Sequence, residues 1–100
     1  MYTTIDKVKL WLGISEDRFD GELNDLIYSA SSELDVKLKA LGIYPMPDEI
    51  SDAISDALAE YCAGIFRARR SNDFTMVKHA EERLKGIRSA YSSYFGKVTA

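Results

Sequence analysis

Residues 47–70 read PDEISDAISDALAEYCAGIFRARR, and this stretch decides the fold. Pro47 suits the first helical position, where a missing N–H costs nothing, and Asp48 and Glu49 follow where the helix dipole favours acids. Ile50, Ala53, Ile54, Ala57, Leu58, Tyr61 and Ile65 then recur at threes and fours, the spacing of a helix with one buried side. Ala53, Ala57, Ala63 and Gly64 make it the slimmest helix in the chain, open to close approach. It is expected at the middle of a bundle.

Working outward, the remaining segments read as helices too. Thr3 or Thr4 can cap a short first helix with Asp6 near its start and Gly13 as its stop. Val8, Trp11 and Leu12 fall on one side, and so short a helix must dock, with Trp11 as the expected anchor. A second helix is expected from about Asp20 to Leu41, with Leu23, Leu26, Ile27, Ala30, Leu34, Leu38 and Leu41 as its core stripe. Gly42 ends it, and residues 43–47 form a stiff link around two prolines. Ser71-Asn72-Asp73 breaks the third helix and offers caps for a fourth, from about Phe74 to Tyr94. Val77, Ala80, Leu84, Ile87, Tyr91 and Tyr94 make a heptad-like seam along it. Nothing reads as a strand. The fold class is all-α, a compact bundle of one short and three long helices, in a single domain over residues 1–100 with a short flexible tail at 96–100.

Composition narrows the function. With 46% hydrophobic and 29% charged residues the chain is an ordinary globular one, which argues against wholesale disorder. No apolar run nears the roughly 20 residues of a membrane span, and the N-terminus lacks the pattern of a signal peptide. The expectation is a cytoplasmic site of synthesis and no membrane partner. One cysteine, Cys62, leaves packing to hold the fold. The net charge of −3 is unevenly spread. Residues 1–50 carry five Lys/Arg and ten Asp/Glu, giving −5, whereas residues 51–100 carry eight and six, giving +2. Copies of such a chain can attract each other front to back.

Catalytic constellations are nearly absent, and no enzyme activity is expected. Cys62 sits in an apolar helix, and the one histidine, His79, pairs with Glu82 only as a single i, i+3 match, short of a helical metal centre. The acids Glu16, Asp17, Asp20, Glu22 and Asp25 lack the register of a calcium loop. No cofactor or metal is expected. Arg67, Arg69 and Arg70 close the third helix, where they complement its dipole or reach a phosphate or an acidic neighbour. Tyr94 and Phe95 end the fourth helix as aromatic candidates for partner docking.

Two stretches in order carry a family resemblance. Thr4…Val8-Lys9-x-Trp11-Leu12-Gly13-Ile14 is followed, after an acidic gap, by Leu23…Leu26-Ile27…Ala30-Ser31…Leu34. Pro47…Ile50…Ala53-Ile54…Leu58-Ala59…Tyr61…Phe66-Arg67…Arg69-Arg70…Asp73 comes next. Over roughly residues 4 to 73 the chain resembles the head–tail connector (adaptor) proteins of tailed bacteriophages. The resemblance implies a structural subunit that assembles into a ring under the portal, extends the DNA channel and presents a platform to a downstream neck or tail-completion protein. Its implied partners are further copies of itself and the portal protein, with packaged DNA close by, and its implied place is the neck of the virion. Many relatives finish with a leucine-rich, arginine-terminated tail; Ala90-Tyr91-Ser92-Ser93-Tyr94-Phe95-Gly96 stands there in this chain. The competing readings are a small helical DNA-binding regulator using Arg67, Arg69, Arg70, Lys78 and Arg88, and a metal enzyme using His79, Glu82 and Glu60.

Overall fold

The computed structural model describes residues 2–40 and 48–99, the side chains of 38, 48–51, 88 and 90–99 excepted. Four helices account for almost all of it: α1 (Ile5–Leu12), α2 (Asp20–Ala40), α3 (Asp48–Ser71) and α4 (Thr75–Thr99), with no strand among the described residues. The all-α expectation and its order of elements hold.

Local chemistry sets the helix ends. Thr4 is extended and its Oγ1 accepts from the Lys7 N–H at 3.3 Å, so it, not Thr3, caps α1. At the other end Gly13 takes φ 70°. Its N–H donates to the Leu10 carbonyl at 3.2 Å and that of Ile14 to the Lys9 carbonyl at 3.1 Å, the paired bonds of a Schellman stop. Asn72, also left-handed at φ 54°, ends α3. Asp73 then starts α4: its Oδ1 accepts from the Thr75 N–H at 3.0 Å and the Thr75 hydroxyl at 2.7 Å. The link between α2 and α3, with Pro47, lies outside the described residues. α4 continues past the expected end at Tyr94 to Thr99.

α3 packs against all three other helices, as its small residues require. Ile54, Ala57, Leu58, Ala59, Cys62, Ala63 and Phe66 are buried along it. The buried surface is wider than the single stripe read from the sequence, because a central helix is covered on several flanks. Ala53, expected inside, is exposed, since the covered part of α3 begins at the following residue. From α2 come Leu23, Ile27, Ala30 and Leu34, from α4 Val77, Ala80 and Leu84. They belong to the expected stripes, with Leu26 and Ile87 half-buried beside them; the side chains of Leu38, Leu41, Tyr91 and Tyr94 lie outside the described residues.

The anchor of α1 differs from the expectation. Val8 is fully buried, whereas Trp11 remains 36% exposed. Three residues turn the helix by about 300°, which carries Trp11 to the edge of the contact. There its indole N–H finds an acceptor, Asp56 Oδ1, at 3.3 Å. A large ring with a polar atom is satisfied at an edge, and the small valine fills the interior.

α3 and α4 approach closely at Gly64. A Cβ added to Gly64 would lie 2.8 Å from the Val77 backbone nitrogen and 2.9 Å from its Cγ2. Backbone cannot swing aside as a long side chain can. Gly64→Ala is therefore expected to force α3 and α4 apart and to lower stability by about 1–3 kcal/mol. Gly86, exposed within α4 with open space at its Cβ position, is the control: Gly86→Ala is expected to gain up to about 1 kcal/mol. Urea unfolding of both variants checks the opposite signs.

Candidate functional site

Two polar clusters flank α3, and both are built by helix register. The first lies at the C-terminal end of α3, where α2 begins. Glu22 receives Arg70 in a two-point contact, Nη2 to Oε1 at 2.7 Å and Nη1 to Oε2 at 3.1 Å, and Arg69 Nη1 at 3.3 Å. The hydrogen bonds from Arg70 hold the Glu22 carboxyl below its ordinary value, and Glu22 in turn raises the Arg70 guanidinium. Below that ion pair, the Arg70 guanidinium carbon sits 3.6 Å from the centre of the Phe66 ring and 4.9 Å from that of Phe19. The two rings meet edge to face at 5.1 Å. Arg70 thus stacks on the aromatic pair while its planar fork grips the acid.

The three arginines singled out in the sequence therefore part company. Arg69 and Arg70 are engaged within the chain, tying the end of α3 to the start of α2. Arg67 stands half-exposed, and its guanidinium makes no hydrogen bond or ion pair among the described residues. The side chains of Tyr94 and Phe95, the other two candidates, lie outside the described residues.

The second cluster runs across α1, α3 and α4. Arg83 Nη2 meets Asp56 Oδ2 at 2.8 Å and its Nη1 meets Glu60 Oε1 at 2.8 Å. His79 Nδ1 lies 2.6 Å from Glu60 Oε2, and Asp56 Oδ1 holds the Trp11 indole. Glu60 is only 3% exposed, and such a carboxylate is tolerated inside because both of its oxygens are bonded. Sequence reasoning placed Glu60 only in a metal set with His79 and Glu82. The available signal was a pair of matching intervals: Asp56 and Glu60 four apart on one helix, His79 and Arg83 four apart on the next. Contact with Arg83 chiefly holds the Asp56 carboxyl below its ordinary value, with the Trp11 hydrogen bond adding to it.

The remaining candidates resolve into structure. Burial pushes the Cys62 thiol up to about 12, so no thiolate nucleophile forms there near neutral pH. Among the described residues no three His, Cys, Asp or Glu side chains gather as a metal set. The acidic run is shared among separate ion pairs: Asp17 and Asp20 with Lys9 at 3.0 and 2.8 Å, Glu16 with Arg18 at 3.0 Å, Glu22 with the arginines. No helix among the described residues is long and apolar enough to cross a membrane.

Residues 2–88 match the model of the phage gp6-like head-tail connector protein, and the chain belongs to that family, a structural family of the phage neck and not an enzymatic one. No curated protein and no solved structure matches the chain.

The depressed carboxylates give a signed pH dependence. Glu22 and Asp56 bind protons less readily in the folded chain than at their ordinary values of 4.5 and 3.8. Their contribution is whole above about pH 5 and is lost as pH falls through and below those values, because the unfolded chain takes up protons first. Urea midpoints measured from pH 7 to pH 3 are expected to fall on acidification, and Asp56→Asn is expected to flatten that fall.

Proposed function

We propose that this chain, as one helical unit, forms a ring under the portal at the neck of a tailed phage, made in the host cytoplasm and carried in the virion. The ring extends the DNA channel and offers a platform to the next neck or tail-completion protein. The observation that carries the reading is the family match over residues 2–88. Two physical features support it. The chain's two halves carry −5 and +2, which suits head-to-tail contacts between copies and hence a closed ring. Arg67 makes no hydrogen bond or close ion pair among the described residues, although its charge reaches Asp73, and its half-exposed fork suits an acidic group on a neighbouring copy or on the portal. Tyr94 and Phe95 are proposed to dock the portal or the next neck protein. Duplex reading by the arginines has less behind it, since Glu22 occupies two of the three.

Native mass spectrometry across a concentration series to high micromolar, alone and with portal, tests the reading; a closed ring is the expected species, and a monomer in both conditions would overturn it. Arg67→Glu is expected to weaken assembly and to leave the thermal midpoint unchanged. Arg70→Glu is expected to lower that midpoint as well, because it breaks the pairing with Glu22.

A further inference from the structure

We draw no further inference here: the strongest candidate, the open groove between α2 and α4 lined by Leu34, Leu58 and Leu84, carries three glutamates against two lysines on its walls, and nothing in the structure shows what covers it.

Discussion

The approach of α4 to the backbone of α3 at Gly64 is the constraint on which the other packing depends. With no side chain there, Val77 rests directly on the α3 backbone. Ala57, Ala63 and Ala80 continue the close approach on either side of it, all fully buried. Small residues give up hydrophobic area per residue, but they bring two helices near enough for the larger groups beyond them to interlock. The leucines and isoleucines of α2 then close the same central helix from another side.

Charge is arranged around this apolar centre so that most of the polar groups at its edge join helices. Arg70 covers Phe66 and Phe19 while gripping Glu22, so one side chain shields an aromatic pair and fastens two helices. Arg83 does the corresponding work between α3 and α4, and through Asp56 it extends to the short α1. An eight-residue helix is not stable by itself. Here Val8 supplies burial, and the bonds from Lys7 to Ser55 and from Trp11 to Asp56 fix its orientation.

For a connector, such fixation has a mechanical sense. A structural subunit acts through its shape, and its surfaces must keep their relative positions. Charged clusters that join helices internally leave fewer charges for partners. Arg67 then stands out because Arg69 and Arg70 beside it are already paired with Glu22.

The sequence by itself determined the helices, the ends that local caps set and much of their apolar stripes, because spacing, capping and breaking are local properties. Thr4, Gly13, Asn72 and Asp73 act within a turn or two of where they stand. The ordered motifs also carried the family, since they span the chain as a pattern. Only the tertiary structure decided which groups meet across helices. It buried Val8 and left Trp11 at an edge, took Arg69 and Arg70 out of the set of free arginines, and made Glu60 the centre of a clamp. The reason is geometric: a helix period says which residues share a face. It says nothing of how far the neighbouring helix is rotated or shifted along it, and that rotation decides which acid faces which base.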